Sequence, residues 1–193
     1  MIVLQFEKFF NFRLYKIMKW YLFIPVIFIL LSGCVKEEKY GKLNVEIDFK
    51  KFPSMYTCHG DNISPEIRID GIDEKSSSIS IFLIDRDAPN GYFVHWIIWN
   101  IKANKSIVIP ENIPKKKVVE EPIKALQGEN DFGRIGYDGP CPPAGEKHRY
   151  YFEVYSLDKF INVEGGAKIE KVKDEMRGHI IQYGEAMATY SFP

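Results

Sequence analysis

Cysteine is scarce in this 193-residue chain, with only Cys34, Cys58 and Cys141 present. None belongs to a CxxC pair or stands at Cys/His zinc spacing, so the pattern offers no structural zinc site. Net charge is missing too, because 26 basic side chains balance 26 acidic ones. The longest basic run, Lys115-Lys116-Lys117, lies in a Pro-flanked loop and reads as a solvated turn rather than a nucleic-acid footprint. There is no GxGxxG, no Walker loop and no internal repeat, which disfavours nucleotide folds and solenoids. No uncharged run reaches the ~20 residues needed to cross hydrocarbon. What remains is 46% apolar, enough for an ordinary core in one domain.

The first 33 residues differ from the rest. Trp20 to Leu31 carries no charge, follows Lys8, Arg13, Lys16 and Lys19, and precedes Ser32-Gly33-Cys34. A positive n-region, a short apolar stretch and small residues before a cleavage point make a secretory signal. Leu31-Ser32-Gly33-Cys34 resembles a prokaryotic lipobox, in which Cys34 would carry the lipid. An uncleaved anchor helix or a buried core segment would share the hydrophobicity but not the order of the flanks. We therefore expect residues 1–33 to be a lipoprotein-type signal peptide, 34–42 a tether and 43–193 the folded domain. Met18 would make a more usual start than Met1. Removing Glu7 and the four bases from 26 charges of each sign leaves 25 acidic and 22 basic side chains, a net charge of −3. The mature protein is expected at the outer side of the cell membrane, lipid-anchored. Export would allow Cys58 and Cys141 to bridge; two separate buried thiols are the alternative.

The mature part reads mainly as strands. Leu43, Val45, Ile47 and Phe49 alternate with polar residues, the period of a half-buried strand. Ile79–Ile84, Phe93–Ile101 and Tyr150–Leu157 are longer apolar runs bounded by turn residues, as central strands are. Loops rich in Gly, Pro, Asn and Asp separate them, at 53–65, 85–91 and 128–146. Near the C-terminus Ile169, Val172 and Met176 repeat at helical spacing, and Ile180, Ile181, Tyr183 and Met187 resume it after Gly178. That predicts two short helices covering a sheet. Strands first and helices last predict an α+β, mainly β fold with an antiparallel sheet.

Chemistry concentrates in three loops. Asp85-Arg86-Asp87-Ala88-Pro89 ends one strand, Val94-His95-Trp96 begins the next, and Gly136-Tyr137-Asp138-Gly139-Pro140-Cys141-Pro142-Pro143 precedes His148-Arg149-Tyr150. Two His beside two Asp and a Gly/Pro loop can form an anion pocket. Imidazoles donate to an oxyanion, and a neighbouring carboxylate favours their charged form. Taken singly, each of these residues could be structural, but convergent polar groups on loops more often mark a site than a core. His59 and His179 lie outside the pattern and read as structural.

These motifs, in this order from Phe52 to Ser191, resemble the phosphatidylethanolamine-binding protein family in its prokaryotic branch. Tyr56-Thr57-Cys58 with Ser64-Pro65, Phe93-Val94-His95-Trp96, Gly139 to Pro143 and His148-Arg149-Tyr150 carry the resemblance; Arg86 stands where the family has proline. The resemblance implies a large antiparallel sheet packed on a smaller one, with C-terminal helices. It also implies a ligand site of Asp85, Asp87, His95, Pro142, Pro143, His148 and Tyr150 for small anionic or phosphorylated molecules, including phospholipid head groups. No cofactor, metal or common catalytic activity is implied. An inhibitor of an extracellular serine protease is the alternative function, and a His/Asp or metal-dependent hydrolase is the third. No bait loop supports the inhibitor. No Ser or Cys in a nucleophile motif supports the hydrolase.

Overall fold

A computed structural model describes residues 40–193; the expected signal segment and Cys34 lie outside the described residues. Among the described residues, ten strands and one α-helix follow in chain order. They are β1 (Gly41–Lys42), β2 (Asn44–Glu46), β3 (Ile67–Asp70), β4 (Ser78–Asp85), β5 (Phe93–Lys102) and β6 (Ser106–Ile109). β7 (Val118–Val119), β8 (Ala125–Gln127), β9 (Lys147–Leu157), α1 (Ile169–Met176) and β10 (Ile180–Ser191) complete them. A seven-stranded sheet runs β1-β10-β9-β4-β5-β8-β7, and a three-stranded sheet runs β2-β3-β6. Every pairing between these strands is antiparallel except β1 on β10. Gly41 and Lys42, inside the expected tether, thus already pair with the sheet.

The period of two along each strand decides what goes where. On β4, Ile79, Ile81 and Leu83 face one core while Phe82 and Ile84 face another. The first core fills the space between the sheets, with Trp96, Phe152 and Val154 against Ile67, Ile69 and Ile109. The second is closed by α1, whose Ile169, Val172 and Met176 are the predicted apolar face and are all buried. Because β4 is buried on both sides, Ile79 to Ile84 reads as an apolar run broken only by Ser80 rather than as an alternation.

One expectation fails. The residues after Gly178 form not a second helix but β10, which pairs with β9 along nearly its whole length. Gly178, at φ +76°, turns the chain back from α1 onto the sheet. The inward positions of β10 include Gln182, Gly184 and Ala188, polar or small residues that leave no hydrophobic alternation to read. Gly184 is small for a reason, since a Cβ there would come within 2.5 Å of the Leu43 carbonyl oxygen. The helix-like spacing came from outward residues such as Met187, which is exposed.

Candidate functional site

Strand register brings the three motif loops to one end of the large sheet. Asp85, the last residue of β4, lies between Tyr150 on β9 and Phe93 on β5. His148 precedes Tyr150 by two residues and so shares its face. Asp85, His148 and Tyr150 therefore meet on the side of the sheet that also carries the inter-sheet core. His95 arrives by another device. Leu83 pairs with Trp96 and Ile84 with Val94, so His95 is the extra residue of a β-bulge, an irregularity that re-aims a side chain.

The result is a cleft of about 140 Å³ lined by Asp85, His95, His148, Pro142, Pro143 and Cys141 together with Ala88, Pro89, Phe93 and Phe132. A larger groove of about 400 Å³ lies beside β6, lined by Ile101, Ile107, Val108 and Ile109 with two lysines and no histidine or acid. The smaller cleft holds the convergent polar groups, and it is there that chemistry can be done.

The two histidines are held in opposite states. His148 Nδ1 bonds Asp85 Oδ2 at 2.7 Å and Nε2 bonds Glu146 Oε2 at 3.0 Å. Burial works against its charge, but the hydrogen bonds it donates to Asp85 and Glu146 outweigh that, and its pKa is raised. Since a carboxylate only accepts, both ring nitrogens of the charged form donate. His95 Nδ1 instead donates to the Asp138 carbonyl at 2.8 Å, which leaves Nε2 for the cleft as an acceptor. Burial lowers its pKa and keeps it neutral, with the Asp138 carbonyl only partly opposing. The cleft therefore presents a ring-nitrogen acceptor, His95 Nε2, beside an imidazole whose charged form is favoured by a carboxylate on each of its nitrogens.

Asp87 and Tyr150 do not line the cleft. The Asp87 carboxylate accepts from the Arg149 backbone at 2.8 Å, from Nε at 2.9 Å and from Nη2 at 2.6 Å. Those bonds hold its pKa down at about 2. Its own backbone N–H donates to Asp85 Oδ1 at 2.9 Å, so Asp87 positions Asp85 from behind. Tyr150 is fully buried beneath the site, edge-on to His95 at 5.3 Å. Its hydroxyl pKa is raised by burial and by Asp85, although the geometry falls short of a hydrogen bond. Arg86 turns to the opposite face, bonding Glu153 and Glu185 at 2.8 Å each and lying 3.8 Å over the Tyr151 ring. The residue that departs from the family motif thus adds no charge to the cleft.

Three supporting groups were not singled out from the sequence. Asp138 is a buried carboxylate gripped by Asn130 at 2.8 Å, Asn62 at 2.9 Å and Arg134 at 2.9 Å, and its carbonyl sets the His95 tautomer. Burial disfavours its charge, yet these hydrogen bonds win and its pKa is lowered. Glu146 could have been found from its spacing, two residues before His148 on an alternating segment. Phe132, edge-on to His95 at 5.3 Å, left no signal.

The Pro142-Pro143 turn is tied down by a Cys58–Cys141 disulfide, and Cys58 N–H donates to the Pro140 carbonyl at 3.1 Å. Gly139 passes so close to the neighbouring loop that a Cβ would stand 2.0 Å from the Tyr56 carbonyl oxygen. The sulfurs of Cys58 and Cys141 lie with a ring nitrogen of His59 within 4.8 Å of one another, but the bridge occupies both sulfurs. His59 stacks on Phe192 at 3.6 Å and His179 bonds Asp158 at 2.9 Å, both away from the cleft.

Comparison with known proteins gives one consistent picture. The family model for phosphatidylethanolamine-binding protein matches residues 44–191. A UPF0098 protein of Pyrococcus abyssi is 46% identical over 175 residues, covering 88% of this chain and 97% of its own length. A UPF0098 protein of Archaeoglobus fulgidus is 44% identical over 173 residues, covering 88% of this chain, which spans only 58% of that relative. Among solved structures, Escherichia coli YbcL, described as a member of the mammalian PEBP family, superposes with a TM-score of 0.71 at 27% identity. That match covers 79% of this chain and all of YbcL. CT736 of Chlamydia trachomatis, described as a PEBP homolog, gives 0.69 at 33% identity, covering 79% of this chain and 99% of its own.

Proposed function

Since the chain belongs to the phosphatidylethanolamine-binding protein family, we propose that its cleft binds small phosphorylated ligands, free or as phospholipid head groups. The observation that carries this reading is the pairing of an imidazolium, His148, with a neutral acceptor, His95 Nε2, in one cleft. A phosphate group can meet both: its P–O⁻ accepts and its P–OH donates. At about 140 Å³ the cleft is below the ~300–1,000 Å³ of pockets for drug-sized molecules and suits a head group.

Binding rather than turnover is supported by what surrounds the histidines. Asp85 and His148 have the geometry of a base and its orienting carboxylate, but the other ring nitrogen meets Glu146 rather than a hydroxyl or thiol that it could deprotonate. The adjacent Cys141 is tied up in its disulfide. The protein acts, in this reading, outside the cytoplasmic membrane, held by a lipid on Cys34, and the bridge fits an oxidising compartment. Calorimetric titration with phosphoethanolamine tests the ligand class. Saturable binding that His148→Ala weakens is expected; no binding at millimolar concentration would sink the reading.

A further inference from the structure

We propose that Glu146 is a tethered anion occupying the ligand position on His148, so that a ligand must displace it and only an oxyanion that also carries a proton donor gains by doing so. The inference rests on the phosphate-binding reading and deepens it into a specificity rule.

His148 has two carboxylate partners of unequal permanence. Asp85 is buried, and its second oxygen is fixed by the Asp87 backbone N–H. Glu146 has a side chain 55% exposed against 7% for His148, and accepts from the ring nitrogen not already committed to Asp85. Its backbone is anchored, with Glu146 N–H donating to the Pro143 carbonyl at 3.1 Å and Gly145 N–H to the Phe192 carbonyl at 2.8 Å. The carboxylate can therefore swing into water without moving the turn. A ligand oxygen in its place would leave His148 with two acceptors, as before.

Exchange alone gives no preference. A simple carboxylate would supply only what Glu146 supplies, and Glu146 competes at the high effective concentration of a tether. His95 breaks the tie, because its Nε2 accepts and none of the described residues donates to it. A phosphate monoester brings a P–OH, and an ethanolamine head group brings an ammonium; a carboxylate brings neither. The charge on His148 is governed by Asp85 from β4, Asp87 from the following loop and Glu146 from the turn, with His95 and Tyr150 as neutral neighbours. Removing Glu146 takes away one of the two hydrogen bonds that keep the imidazolium charged.

The test uses the full chain with Glu146→Ala and Glu146→Gln, exposed changes that leave the buried Asp85–His148 pair in place. Calorimetry would use glycerol 3-phosphate, glycerophosphoethanolamine and acetate, and NMR would follow the imidazole titrations. Wild type should bind both phosphates and not acetate. With only Glu146 well exposed, the ion pair belongs at the upper end of the surface range, a factor of roughly five, so both variants should bind the phosphates about three- to fivefold tighter and bind acetate measurably. His148 should titrate at lower pH in both. The monoester arm reports a free phosphate source and the diester arm a lipid head group. Unchanged or weaker phosphate affinity in both variants, with wild type still binding, would overturn this inference and leave the phosphate site standing. Absence of phosphate binding in wild type and variants alike would remove both.

Discussion

Asp85 and His148, 63 residues apart in sequence, meet through a 2.7 Å hydrogen bond between two buried side chains. The contact joins the end of β4 to the start of β9, so it fastens the loops of the site as well as setting the charge of an imidazole. Removing one partner of a buried ionic pair commonly costs ~3–5 kcal/mol because the other is left uncompensated.

Stability should follow pH with opposite signs for the two cleft histidines. The folded pKa of His148 is raised, so its contribution is complete below its unfolded value near 6.5 and disappears as pH rises through the folded value. The folded pKa of His95 is lowered, so its contribution is present above 6.5 and disappears as pH falls toward the folded value. Thermal unfolding from pH 5 to 9 should show both limbs. His148→Asn should flatten the alkaline limb and His95→Asn the acidic one; unchanged profiles would disprove the assignment.

Binding of a monoester without an amine should be linked to proton uptake. The second pKa of a phosphate ester is ~6, whereas His95 Nε2 needs a P–OH, so affinity for glycerol 3-phosphate should rise from pH 8 to 6. Titrations in two buffers of different ionisation enthalpy measure the uptake, expected to approach one proton at the alkaline end. His95→Ala should remove the part of the linkage that comes from the P–OH, leaving only what His148 contributes, and weaken binding by roughly tenfold, the scale of one lost charge-assisted hydrogen bond.

Opening the Cys58–Cys141 bridge should loosen both fold and site. It closes a loop of 83 residues, and removal of such a bridge typically costs ~2–4 kcal/mol. The double Cys58→Ser, Cys141→Ser variant should show that loss in urea unfolding. Because Cys141 lines the cleft, phosphate affinity should fall with it. Equal stability of variant and oxidised wild type would refute the claim.

Anchoring should depend on Cys34. In a native-like host, Cys34→Ser should leave the precursor unprocessed and without lipid, read by intact mass and detergent partitioning. Normal processing and membrane retention in that variant would rule out the lipobox.

How much could be read without coordinates depends on how local the physics is. Periodicity along β4, β5 and β9 is local, since a half-buried or fully buried strand must carry its apolar residues in a set order. The ordered motifs from Phe52 to Ser191 likewise sufficed for the family and the mainly β fold. The face of α1 was legible for the same reason. β10 was not, because apart from Tyr190 its buried positions Gln182, Gly184 and Ala188 are small or polar, and Gly184 owes its size to the distant Leu43.

The sequence by itself determined which residue types stand at the ends of these strands, and hence that two His and two Asp would be near one another. Only the tertiary structure decided their roles. A bulge turns His95 toward Asp138, Arg149 draws Asp87 away to the rim, and Glu146 reaches the nitrogen that Asp85 leaves open. Hydrogen bonding depends on direction within a few tenths of an ångström, and strand register together with loop closure, neither of them a property of nearby residues, sets that direction.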